Sequence, residues 1–173
     1  MSDPRSRTKT TEPGRRPRSQ AAEITVPSGR PPKPLGERPR VSGDEFMALI
    51  RETIPLSRSY PFEVVSLHHG SATLRLAFHE DQLRAGGTLN GPTIMTLVDT
   101  ALYAAVLSYI GLEPLAVTSD LSIRFLKKPA PAPLIAEATL IRVGKRSAVG
   151  EVRVRSDGSD DLVAHATGTY ALP

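Results

Sequence analysis

The sequence predicts an α+β domain in which a curved antiparallel sheet of five to six strands wraps around one long central helix. Three observations carry this. Residues 91–110 form an apolar run at helical spacing with a single charge. Segments with the period-two alternation of half-buried strands flank that run on both sides. Hairpin signals join the later strands, and strands around one central helix make an α+β pattern.

The helix rests on Ile94, Leu97, Val98, Ala101, Leu102, Ala105 and Val106, a broad apolar surface that predicts burial nearly all round. Asn90 is placed to cap it, and Pro92 suits its first turn, where a missing N–H leaves nothing unpaired. A run this long also admits a transmembrane reading. Against that, a central Asp costs about 2.5–3.5 kcal/mol on insertion scales. The run is also rich in Ala, Thr and Ser, and strands flank it.

Before the helix, Ser42 or Asp44 opens a short helix through about Ile54, with Phe46, Leu49, Ile50 and Thr53 on one face and Pro55 ending it. Residues 62–67 and 72–78 read as strands. The turn between them, His68-His69-Gly70, reads as solvated, and residues 80–87 read as a polar loop. After the helix, strands are predicted over 115–126, 134–143, 147–155 and 162–170. In the first, Val117, Leu121, Ile123 and Phe125 share a face with Ser119. Gly144-Lys145-Arg146 and Asp157-Gly158 are the hairpin turns. A sheet this small leaves an edge to cover, which predicts a homodimer pairing sheet edges, or a homotetramer built from two dimers.

Residues 1–40 form a separate arm, and residues 41–173 form the folded domain. The arm holds eight of the sixteen prolines and carries ten Lys and Arg against four acids, a net +6. The rest has twelve bases and fourteen acids, a net −2. Low hydrophobicity and high Pro content predict disorder for the arm. The basic balance therefore belongs to the arm, and a nucleic-acid function for the domain is not indicated. The absence of cysteine excludes disulfides and thiolate chemistry and is compatible with a reducing cytoplasm, where we place the chain. The N-terminus lacks the apolar stretch of a secretory signal. Neither a metal site nor a bound cofactor is expected, because no His pair has ligand spacing on one helix. Nucleophile-elbow, dinucleotide, P-loop and zinc-protease motifs are absent.

Two features remain that bear chemistry. The helix entrance offers the Gly91 N–H at a positive dipole end, the equipment for a developing oxyanion, although the same pattern serves an ordinary capped helix. Asp99 is the lone charge on the apolar helix and shares a stripe with Thr96, Thr100 and Tyr103. On local pattern alone it reads equally as a catalytic carboxylate or as one bonded to neighbouring hydroxyls at a subunit contact.

Gly87-Thr88-Leu89-Asn90-Gly91-Pro92, six further residues and Asp99 resemble the helix entrance of the PaaI-like (phenylacetate-pathway) acyl-CoA thioesterases of the hotdog-fold superfamily. That family's pattern is G-T-x-H-G-G, six residues, Asp. Phe125-Leu126-Lys127-Lys128-Pro129-Ala130, Gly144-Lys145-Arg146 and the closing Val163–Tyr170 strand also resemble family segments, so the similarity spans about residues 60–171. The resemblance implies hydrolysis of an acyl-CoA thioester, with coenzyme A as part of the substrate. In it Gly91 binds the carbonyl oxygen, Asp99 of the partner subunit acts as general base or nucleophile, and Thr118 holds the water. Arg124, Lys145 and Arg146 would meet coenzyme A phosphates or else stand as solvated charges. The chain departs from the pattern at three positions. Asn90 stands for the family His, Pro92 for the second Gly, and Arg84 for a position often Asn, where it would contact substrate instead. A non-catalytic acyl-CoA-binding hotdog dimer is the competing reading. The Asp-x-x-x-x-His pair of hotdog hydratases is missing, since His165 is the first His after Asp99.

Overall fold

The computed structural model describes residues 38–173, so the predicted disorder of the arm falls on residues outside the described ones. The last three residues of the proposed arm, 38–40, are described, and Arg40 is bonded to the body. Arg40 donates its N–H to the Ser108 carbonyl at 2.8 Å, and Val41 is buried.

Helix α1 spans Gly43–Thr53. Ser42 is its N-cap: the hydroxyl accepts from the Glu45 N–H, and the Glu45 carboxylate accepts from the Ser42 N–H at 2.7 Å. These bonds close a capping box and hold the Glu45 carboxyl below its usual range, the backbone N–H of Ser42 contributing most. Phe46 and Ile50 carry the buried face, while Thr53 is exposed and donates to the Leu49 carbonyl. Pro55 ends the helix and opens a 3-10 turn, Pro55–Ser59, tied back by the buried Ser57 hydroxyl to the Ile50 carbonyl at 2.7 Å.

The strands are β1 Phe62–His68, β2 Ser71–Leu76, β3 Leu83–Arg84, β4 Thr88–Leu89, β5 Val117–Phe125, β6 Leu134–Val143, β7 Ser147–Ser156 and β8 Leu162–Ala171. Helix α2, Gly91–Ile110, lies between β4 and β5. Six strands form one sheet in the order β1-β2-β6-β7-β8-β5, every neighbouring pair antiparallel. β3 and β4 make a separate two-stranded ribbon.

Helix α2 is the core element. By length and composition it is apolar enough to cross a membrane, but 67% of its apolar window is buried inside the protein. The sheet makes room for it with small inward residues. β7 turns Ala148, Gly150, Val152 and Val154 inward, and β8 turns Ala164, Ala166, Gly168 and Tyr170 inward. Leu102 of α2 seats on both glycines. A Cβ at Gly150 would lie 2.6 Å from Leu102 Cδ1, and one at Gly168 would lie 2.8 Å from Leu102 Cδ2. Any larger residue there would push the helix off the sheet.

The structure corrects the sequence reading in three places. The His68-His69-Gly70 turn is not solvated throughout. His69 is buried with its ring 4.4 Å from that of Tyr109, because the turn packs on the C-terminal end of α2, where Gly70 N–H also meets the Ser108 hydroxyl. The 80–87 loop holds a 3-10 turn, Glu80–Gln82, and strand β3, which pairs with β4 just beyond it. A buried polar side chain organises it: Gln82 donates to the Ala77 carbonyl and accepts from the His79 N–H. Third, β5 is bulged. Thr118 pairs with Tyr170 and Asp120 with Thr169, so Ser119 is an extra residue. The bulge reverses the alternation, and Thr118 joins Leu121, Ile123 and Phe125 on the inner row in place of Val117.

Candidate functional site

The polar stripe of α2 faces a cavity of about 520 Å³, within the range of small-molecule sites. Ile50, Ile54 and Leu56 wall it from α1 and the 3-10 turn, Met95 and Tyr103 from α2, and Leu121 from β5. Two threonines of the stripe turn their hydroxyls back on the helix: Thr96 donates to the Pro92 carbonyl at 2.9 Å and Thr100 to the Thr96 carbonyl at 2.7 Å. Asp99 is the charged group left to the cavity.

The strand ends position that carboxylate. Thr118 Oγ1 donates to Asp99 Oδ1 at 2.7 Å, and the Tyr170 hydroxyl donates to the same oxygen at 2.8 Å. Among the described residues, Asp99 Oδ2 receives no hydrogen bond from another side chain. Tyr170 is 3% exposed and stacks on Tyr103, with centroids 5.6 Å apart and planes at 13°. Burial raises the Tyr170 pKa well above the ordinary phenol value, and the Asp99 charge adds to the rise. Its hydroxyl is therefore a permanent donor. Burial raises Tyr103 as well.

A second cavity, about 460 Å³, lies at the start of α2 and includes Gly91. Asn90 caps the helix as expected, its Oδ1 accepting from Thr93 N–H at 2.8 Å, and its own N–H donates to the Gln82 carbonyl. Pro92 has no N–H. Gly91 thus supplies the one first-turn amide with no partner among the described residues. The ring of Phe125 packs against the Cα of Gly91: a Cβ there would sit 3.6 Å from Phe125 Cζ. The rim is basic, with Arg84, Lys127 and Lys128, and Lys127 pairs with Asp161.

One chain therefore brings Asp99 and Thr118 together in one cavity and Gly91 and Arg84 together in another. Eight residues of helix, about 12 Å, separate the two halves. Arg124 lines neither cavity; it is exposed, opposite His165 of β8, between inward-facing Ile123 and Phe125. Lys145 and Arg146 are exposed in the β6–β7 turn, at the end of the sheet where Ala148 pairs with Tyr170. That is the Asp99 end. Sequence reasoning missed Tyr170 as a partner of Asp99, and Lys127 and Lys128 as rim residues. The signal for Tyr170 was its place in phase with Ala164, Ala166 and Gly168, a small-residue row that ends in one large hydroxyl-bearing ring. Among the described residues no group of three His, Asp or Glu side chains is arranged to hold a metal ion.

Comparison with known proteins agrees with this architecture. The family model described as the thioesterase superfamily matches residues 86–163, from the ribbon turn to the start of β8. A Halobacterium salinarum protein provisionally named an esterase is 34% identical over 143 residues, covering 75% of this chain and 93% of the relative. One from Saccharolobus solfataricus, named in the same provisional way, is 34% identical over 110 residues, covering 64% and 72%. The crystal structure of a provisionally described thioesterase from Silicibacter sp. superposes with a TM-score of 0.72 at 35% identity, covering 80% of this chain and 96% of that one. The phenylacetic acid degradation protein PaaI of Thermus thermophilus, in a mutant form, gives 0.61 at 28% identity, covering 69% and 99%. The six-stranded antiparallel sheet around one long helix, the matched family model and these relatives together place the chain in the hotdog-fold thioesterase superfamily.

Proposed function

We propose that this thioesterase-superfamily chain hydrolyses the thioester of an acyl-CoA with an apolar acyl group, at a site completed by a second copy of the chain. The observation that carries the reading is the division of labour along α2. A free amide at the helix start and a held carboxylate two turns on face separate cavities of one chain. β5, the edge strand between them, has no strand on its outer edge among the described residues and exposes Val117 and Phe125, at 57% and 53%. Pairing two such edges antiparallel would set Asp99 of the partner subunit towards Gly91.

The chemistry follows from these groups. The thioester carbonyl oxygen accepts from Gly91 N–H, where the helix dipole favours the negative charge that develops. Asp99 takes a proton from water as the water oxygen bonds to the carbonyl carbon; alternatively its Oδ2 attacks that carbon directly. The tetrahedral intermediate then expels the coenzyme A thiolate, which takes up a proton; on the nucleophilic route this leaves a mixed anhydride on Asp99, which a water hydrolyses to the free acid and the regenerated carboxylate. The apolar walls of the Asp99 cavity suit the acyl chain, and Arg84 and Lys128 at the Gly91 rim suit the phosphates, with Lys145 and Arg146 available from the other copy.

Thiol release from a panel of short, medium, long and aromatic acyl-CoAs tests this. Turnover is expected to fall by about 10²–10⁴ in Asp99→Asn, the usual range for loss of a general base, while the protein stays folded. Unchanged turnover in that variant would remove Asp99 from the mechanism. Pro92, which takes one amide from the helix start, favours a second reading, a dimer that binds acyl-CoA without hydrolysing it. Saturable acyl-CoA binding with no thiol release on any chain length would establish that reading instead.

A further inference from the structure

We propose that Tyr170 is a positioning residue for Asp99, acting with Thr118 to hold one carboxylate oxygen so that the other is presented to the substrate. This rests on the hydrolysis reading for its kinetic meaning, but the geometry stands by itself. Both donors reach Oδ1, at 2.7 Å from Thr118 and 2.8 Å from Tyr170, and the Tyr170 hydroxyl also lies 3.2 Å from the Asp99 backbone carbonyl. Thr118 and Tyr170 are direct cross-strand partners between β5 and β8. They face the helix together only because Ser119 is bulged, and Ser119 is itself tied to the Thr169 carbonyl at 3.1 Å.

The ring of Tyr170 is fixed from behind. It stacks on Tyr103, which meets Phe46 of α1 edge-on at 6.0 Å. The hydroxyl therefore has little freedom to turn elsewhere, and burial keeps its proton in place. Two donors on one oxygen fix the rotation of the carboxylate about the Cβ–Cγ bond. Oδ2, which takes no bond from another described side chain, is left to accept a proton from water or to attack the carbonyl carbon.

Tyr170→Phe in the full-length protein tests this, since it keeps the ring and its stacking. Steady-state thiol release is measured for wild type, Tyr170→Phe, Thr118→Val and the double variant. For Tyr170→Phe we expect kcat to fall about tenfold or more with KM nearly unchanged. Thr118→Ser keeps a donor to Oδ1 and should recover part of the kcat that Thr118→Val loses. The double variant should depart from the product of the single effects, because both groups serve one oxygen. A purely packing role would lower thermal stability and leave kcat where it was; that result overturns the proposal.

An infrared readout separates this inference from the hydrolysis reading. The wild-type minus Asp99→Asn difference spectrum isolates the Asp99 carboxylate. Unequal hydrogen bonding of its oxygens widens the splitting between the antisymmetric and symmetric stretches, and that splitting should narrow in Tyr170→Phe. An unchanged splitting overturns the inference whatever the activity. Absent thiol release with a narrowed splitting sinks hydrolysis and leaves Tyr170 as the residue that orients Asp99.

Discussion

Gly91 and Asp99 stand on one helix and open into two different cavities. About 12 Å of helix separates them, too far for one thioester carbonyl to touch both. If they act on the same substrate, they must come from different copies of the chain.

Mixing two crippled variants tests that directly. Gly91→Pro removes the free amide while suiting a first helical turn, and Asp99→Asn removes the carboxylate. Each alone should be nearly inactive. Mixed dimers formed by unfolding and refolding the two together contain one intact site, so an equal mixture should recover roughly a quarter of wild-type activity under twofold symmetry. Recovery no greater than the sum of the two variants would place both groups in one chain or remove one of them from the reaction.

The basic rim around Gly91 makes a prediction about the leaving group. Arg84→Ala and Lys128→Ala should each raise KM for acyl-CoA by about threefold to fivefold, the scale of a solvent-exposed charge pair. They should leave KM for the matching acyl-pantetheine, which lacks the nucleotide phosphates, unchanged. The difference should shrink in high salt, because these side chains are exposed.

Leu102 sits between Gly150 and Gly168, and neither glycine has room for a methyl group. At Gly168 a Cβ would also lie 2.9 Å from Leu121 Cδ1 and 3.1 Å from the Asp120 carbonyl. Gly168→Ala should therefore destabilise the fold by about 1–3 kcal/mol, read as a lower urea midpoint at unchanged slope. Leu102→Ala, itself costly for a fully buried leucine, should combine with it less than additively, since it removes one of the side chains that a Cβ at Gly168 would meet.

The Asn90 cap bonds Thr93 N–H from outside the first turn. Asn90→Ala should cost about 1 kcal/mol, and Asn90→Ser should cost much less because a hydroxyl can take the same bond. Equal losses for the two would mean that the side chain matters for something other than capping.

Much of the fold was legible because its signals are short-range. The α2 boundaries follow from Asn90, Pro92 and twenty residues of apolar spacing. The capping box at Ser42 and Glu45, the hairpins at 144–146 and 157–158, and the alternation within β7 and β8 are likewise set by residues a few positions apart. The 80–87 segment failed as a prediction because a single buried glutamine organises it, and a polar residue leaves no trace in hydrophobic periodicity. His69 failed for a related reason: whether a turn meets water depends on what packs over it, here Tyr109 from the far end of α2.

The site divides the same way. Asp99 and Gly91 stood out in the sequence because one is the lone charge in an apolar helix and the other the glycine at its capped start. Tertiary structure alone decided that Thr118 and Tyr170 share one oxygen of that carboxylate. The bulge at Ser119 reverses which side chains of β5 face inward, and a bulge is a property of how two strands pair. Register between β5 and β8 links residues far apart in the chain, such as Thr118 and Tyr170. It is settled by the whole sheet closing over the helix, with Leu102 finding its place above Gly150 and Gly168, and no local pattern encodes it.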